Sequence, residues 1–217
     1  MTDFTEVFKN TPLAKGGHSA NDGKACLMEK VSILWALNTG QDVKDVFSDL
    51  PPCTNAFVAR NAQYVNDLSS DEDRQKLNAM IPRLLRARRT DSDHRINTRL
   101  AIWAARKVLH LVDPMDMAKA LAAIEAAEAW LENPCKETVD AAAAYATYAA
   151  AAYAAATPAA AYATAAAYAA AEPLDLAAFL DELLDQWEEA CAKENEDVYV
   201  PQEWEDEVLD LLGSLSA

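Results

Sequence analysis

The stretch GGHSANDGKACLMEK, residues 16–30, holds the densest collection of residues able to do chemistry. Three of the five glycines fall here, beside His18, Asp22, Lys24 and, one helical turn further on, Glu29. Glycines just before a helix N-terminus leave backbone N–H groups open to an anion, and Lys24 adds charge. His18, Asp22, Lys24 and Glu29 are therefore candidate ligand-binding residues, with Arg86 and Arg89 as further contacts for an anionic small molecule. The loop is not a nucleotide-binding P-loop. Five residues rather than four separate Gly17 from Gly23, and Ala25 stands where Ser or Thr would hold magnesium. The competing expectation is an ordered loop that caps the first long helix.

His18, Cys26 and Cys53 are ligand types that zinc accepts, but their spacing follows no zinc pattern, so they are a weak metal candidate. Apolar helices account for both cysteines as core residues. Nothing around either thiol lowers its pKa, which argues against a Cys–His nucleophile. With three histidines and no triad, metal motif or cofactor fingerprint, the sequence leaves enzymatic activity open but unsupported, and no cofactor is expected.

Charge is segregated along the chain. Residues 1–171 carry 20 acids and 18 bases, whereas residues 172–217 carry 15 acids and the single base Lys193. Between positions 83 and 107, seven arginines and Lys107 against Asp91 and Asp93 leave a net charge of +6. A basic run of this kind suits phosphate contacts or a solvated helix face. Trp103 is the single large aromatic interleaved in it for base stacking, and the acidic tail opposes nucleic acid, which is not an expected partner. Docking of the tail on the basic stretch, in cis or in a second subunit, is a further expectation.

These residues must be positioned by helices. Five glycines and the absence of alternating β-branched windows exclude a sandwich or barrel, and the expected fold is all-α with about nine helices. Residues 141–171 hold 22 alanines, five tyrosines, three threonines and one proline without a charge. Such a run predicts a helical hairpin at the centre of the fold, with a corner at Thr157-Pro158. Alanine's weak hydrophobicity and Pro158 speak against a membrane span.

Earlier, helices are expected over Lys24–Leu37, ahead of Gly40, and from Asn55 to Leu68 with Thr54 as cap. The latter would bury Phe57, Val58, Tyr64 and Val65. Ser69 with Glu72, or Ser70 with Asp73, would open the next helix. Asp91 or Ser92 starts a longer one to about Leu111, and a further helix turns Met117, Leu121, Ile124 and Leu131 inward. Beyond Pro173 the stripe Leu176, Phe179, Leu180, Leu183, Leu184, Trp187 and Cys191 predicts an amphipathic helix. A last short helix presents Trp204, Val208 and Leu211 at i, i+4 and i+7, candidate anchors for a partner groove. The charge shift suggests two regions, 1–171 and 172–217. MTDFTEVFKN lacks the charged start and apolar core of a secretory signal, and four scattered cysteines suit a reducing cytoplasm.

The segments LAIWAARKVLHLVDP and ALAAIEAAEAWLENP, followed by the alanine tract, resemble putative immunity proteins of bacterial polymorphic toxin systems. GGHSANDGKACLMEK, with IPRLL further on, is similar to uncharacterised proteins of actinobacteria and their phages. The resemblance implies a cytoplasmic helical protein that binds or neutralises a protein partner, and it carries over no catalytic residue. The acidic region from Pro173 lies outside it. Homo-oligomerisation remains open.

Overall fold

The computed structural model describes residues 4–111, 114–135 and 175–196. All regular structure in them is helical: α1 (Phe4–Asn10), α2 (Leu27–Thr39), α3 (Val43–Val46), α4 (Ala56–Leu68), α5 (Asp71–Lys76), α6 (Ile81–Arg86), α7 (Asp93–Val108), α8 (Met117–Glu132) and α9 (Leu176–Lys193). Two isolated bridges, Leu13 with Ala25 and Thr54 with Arg88, tie loops together without making a strand. The alanine tract with its Thr157-Pro158 corner, and the anchors Trp204, Val208 and Leu211, lie outside the described residues.

By their contacts, residues up to Asp93 group with those from Asp175 onward, and residues from His94 to Leu174 form a second unit. One boundary between the units, at Leu174 and Asp175, thus falls beside the change of charge near residue 172, and the other, at Asp93 and His94, divides residues 1–171. In the first unit α2 is the axis. It packs against α1, α3, α4 and α6 and is buried from Leu27 to Leu34 on every side, Glu29 and Lys30 included. Each fully buried Leu, Ile or Met contributes about 1.5–3 kcal/mol. Gly40 ends the helix at φ +68, a left-handed position that glycine occupies without a Cβ clash.

Side chains decide the remaining helix ends. Asn55, not Thr54, caps α4: its Oδ1 accepts from the amides of Phe57 and Val58 at 3.0 and 3.2 Å, while Thr54 is spent on the bridge to Arg88. Of the expected core residues of α4, Val58 and Val65 are buried and Phe57 and Tyr64 only half-buried. Ser70 opens α5, accepting from the Asp73 amide at 3.1 Å. Asp93 begins α7, and its Oδ1 gathers the Thr90 amide and the Asn55 side chain at 2.9 and 3.0 Å.

α9 packs on α4 through Leu180, Leu183, Leu184, Trp187 and Cys191, all essentially without solvent exposure. Leu176 and Phe179, at the start of the stripe, are half-buried.

The second unit holds most of α7 and all of α8. The His94 ring stands edge-on to Trp130 at 4.8 Å, and Arg95 sits 5.7 Å from the same indole and donates to the Leu131 carbonyl at 2.9 Å. Ile124 and Leu131 are buried as expected, but Leu121 is 41 % exposed. Glu125, Glu128 and Glu132 follow Leu121 at i+4, i+7 and i+11, so Leu121 shares the helix face that the acids hold toward water.

Candidate functional site

The loop ahead of α2 is built around carboxylates of the chain itself. Glu29 occupies the third position of α2, where the positive end of the helix dipole favours an anion. Its Oε1 accepts the His18 amide at 2.5 Å and its Oε2 the Cys26 amide at 2.7 Å. The same Oε2 meets His18 Nδ1 at 2.9 Å. The Gly16 amide donates to Asp67 Oδ1 at 2.8 Å, and the Ser19 amide to Asp22 Oδ2 at 2.8 Å. Gly17 passes so close to Asp49 that a Cβ there would lie 3.0 Å from Oδ2 and 4.0 Å from Glu29 Oε1. The backbone donors that an incoming anion would use are therefore turned on Glu29, Asp67 and Asp22.

Of the sequence candidates, the fold joins His18 and Glu29 directly. Asp22 and Lys24 sit on the exposed outer turn. The Ser19 amide and then its hydroxyl hold the Asp22 carboxyl below its usual range, with smaller help from the charges of His18 and Lys24. Arg86 is half-buried on α6. Arg89 follows that helix and is engaged with another turn: its Nε donates to the Thr54 carbonyl at 3.3 Å and its amide to the Cys53 carbonyl at 3.2 Å.

The zinc candidate is not assembled. Among the described residues no three His, Cys, Asp or Glu side chains stand close enough to share a metal. Cys26 is 1 % exposed, and burial pushes its thiol strongly upward. Burial also raises Cys53, against the weaker opposing bond from Thr54 and the charges of Arg88 and Arg89. Cys26 is thus a core thiol, as expected, whereas Cys53 is half-buried in a turn and belongs to no apolar helix.

Asn66 and Lys30 carry more of the site's architecture than their sequence context suggests. Asn66 is fully buried, accepts the Leu27 amide at 3.2 Å and donates to the Ala14 carbonyl at 2.9 Å, so it joins α4 to both ends of the loop. Arg74 seals the end of α4 from below, donating to the carbonyls of Asn66 and Ser69 at 2.8 and 2.7 Å. Neither residue belongs to a recognisable motif. Lys30 had one available signal, a charge set between Leu27 and Leu34 on an otherwise apolar helix.

A second cluster joins the two halves of the charge pattern. Arg83, from the basic stretch on α6, binds Asp181, Asp185 at 2.7 Å and Glu188 at 3.2 Å, successive acids along α9. Burial alone would lower the Arg83 pKa, but these carboxylates outweigh it and the net shift is upward. The acidic region thus docks in cis on the basic stretch, through Arg83 and through the Ser92 amide, which donates to Glu196 Oε1 at 3.0 Å. The three acids remain 51 %, 64 % and 44 % exposed, so their outer surfaces still face water. An exposed ion-pair network of this kind contributes modestly. Arg83→Met is expected to lower unfolding stability by about 1 kcal/mol, an effect that shrinks in high salt. Urea titrations at low and high ionic strength check both statements.

Comparisons of the chain with family models, with curated proteins and with solved structures found no match. Among the described residues no helix is long and apolar enough to cross a membrane.

Proposed function

We propose that this chain is a non-enzymatic, cytoplasmic binding protein of the immunity or counter-defence kind. In this reading the acidic outer face of α9 holds a basic protein partner. One observation carries it. The apolar stripe of α9 is consumed by the core, which fixes Asp181, Glu182, Asp185, Glu188 and Glu189 on a helix whose own sole base is Lys193, with Arg83 of α6 set against three of them. Preorganised carboxylates on a packed helix lose little freedom on binding, and their field speeds encounter with a cationic surface. The likeness of the α7–α8 segment to toxin-immunity proteins supports a protein as the partner. Against an anionic small molecule stands the loop at Gly16–Lys24, whose amides already serve the chain's own carboxylates.

The test is co-purification from the cells that encode the protein, comparing the native chain with the isosteric set Asp181→Asn, Asp185→Asn, Glu188→Gln and Glu189→Gln. The amide oxygens still accept from Arg83, so the fold is expected to survive, as circular dichroism would verify. The native chain should retain a basic protein at about 50 mM salt and release it near 500 mM, and the neutralised chain should retain none. A partner held equally by both proteins would defeat the proposal.

A further inference from the structure

Lys30 lies at the centre of the first unit with 1 % of its surface exposed. Among the described residues no carboxylate pairs with it. Its ammonium faces only Asn78 Oδ1 at 3.4 Å and the ring of Phe8, 5.6 Å from the centroid. A cation taken out of water without an ionic partner is costly, and a ring face with one long amide contact offsets part of that cost.

The ring belongs to α1, a helix of seven residues held down by Val7, Phe8 and the contact of Phe4 with Phe47 at 6.3 Å between centroids. A helix this short does not persist in water by itself, so docking decides whether it forms. The chain just after it is fastened independently. Leu13 exchanges two bonds with the Gln75 side chain at 2.8 and 3.0 Å, and the Ala14 amide donates to the Ala25 carbonyl at 2.9 Å. Thr11 and the exposed Pro12 lie between the helix and this anchor. α1 can lift about those two residues and leave the remainder in place.

We propose that α1 is a proton-sensitive cover: it lies most firmly on Lys30 while the amine is neutral, and protonation of the amine shifts the balance toward a lifted helix. The charged residues on the elements packed around α2 are Glu6 and Lys9 of α1, Lys44 and Asp45 of α3, Arg60 and Asp67 of α4, and Arg83 and Arg86 of α6, with Glu29 on α2 itself. None of them sets the Lys30 equilibrium; loss of water pushes its pKa down to about 8. Once α1 lifts, the amine regains water and its ordinary value of 10.5. Opening therefore takes up a proton, and the open-to-closed ratio falls about tenfold between pH 7 and pH 9.

Hydrogen exchange of the full chain, followed by mass spectrometry and corrected for the intrinsic pH dependence of amide exchange, reads this ratio directly. Peptides covering residues 4–12 should gain about tenfold protection from pH 7 to pH 9, and at both pH values they should exchange well ahead of peptides from α4, which open only with the whole unit. In Lys30→Met the 4–12 peptide should be well protected at both pH values. Equal protection of α1 and α4 in the native chain would show global rather than local opening and overturn the proposal. So would a flat profile across residues 4–12, whatever the variant does.

Discussion

Lys30→Met raises unfolding stability at pH 7 by about 3 kcal/mol, against the usual direction of core substitutions. Burial holds the Lys30 pKa near 8 in the native state, against 10.5 for the exposed side chain. Between these values the unfolded chain binds more protons than the folded one, so stability rises with pH. The penalty is complete below pH 8 and is relieved progressively toward pH 10.5. Methionine fills the same slot beneath Phe8 with a flexible apolar chain of similar length and nothing to desolvate. Guanidinium titrations of both proteins at pH 7 and pH 10 check the two parts of this statement. The native chain should be more stable at pH 10 than other titrations alone allow, and the gap to the variant should narrow to about 1 kcal/mol. A variant less stable than the native chain at pH 7 would mean that Asn78 and Phe8 compensate the charge fully.

Glu29→Ala produces the opposite result, a loss of about 3–5 kcal/mol. The carboxylate is 1 % exposed and serves the His18 amide, the Cys26 amide and the His18 ring. Its removal leaves two buried donors without an acceptor and takes an anion from the first turn of α2. Glu29→Gln keeps one oxygen for an amide and should lose less than the alanine variant. Urea unfolding gives the size of both losses. Limited proteolysis within residues 14–26 gives their place, because the Glu29→Ala loop should be cut well before α4 or α9. A Glu29→Ala protein of native stability would show that the loop's amides find other acceptors and would reopen it as an anion site.

Most of the helices were legible from periodicity and punctuation. The stripe of α9 and the glycine after α2 each leave one workable arrangement. What failed were choices between near-equal local options. Thr54 and Asn55 are both good caps, and the decision came from Arg88, more than thirty positions away in the sequence. Leu121 is a different case: Glu125, Glu128 and Glu132 follow it at i+4, i+7 and i+11, so the polar face that marks its side as out stood in the sequence. The site divides in the same way. Its residue types stood out as a cluster, yet its sense inverted once the partners were known. The His18 amide meets Glu29 eleven residues on, and the Gly16 amide meets Asp67 fifty-one residues on. Sequence shows that amides stand ready for an anion; only the fold shows that the anion is already part of the chain. Tail docking was foreseeable as charge complementarity, but the selection of Arg83 from eight bases follows from where α6 passes α9.

The central claim is that the protein meets its partner through the carboxylates of α9 and not through the loop at Gly16–Lys24. Native mass spectra of the full chain, purified from its own cells in volatile low-salt buffer, test it most directly. They are recorded beside the protein with Asp181, Asp185, Glu188 and Glu189 neutralised. The account predicts a complex with added mass of protein size in the first spectrum and the bare chain in the second. A small-molecule mass carried by both chains, and lost only on denaturation, would contradict it.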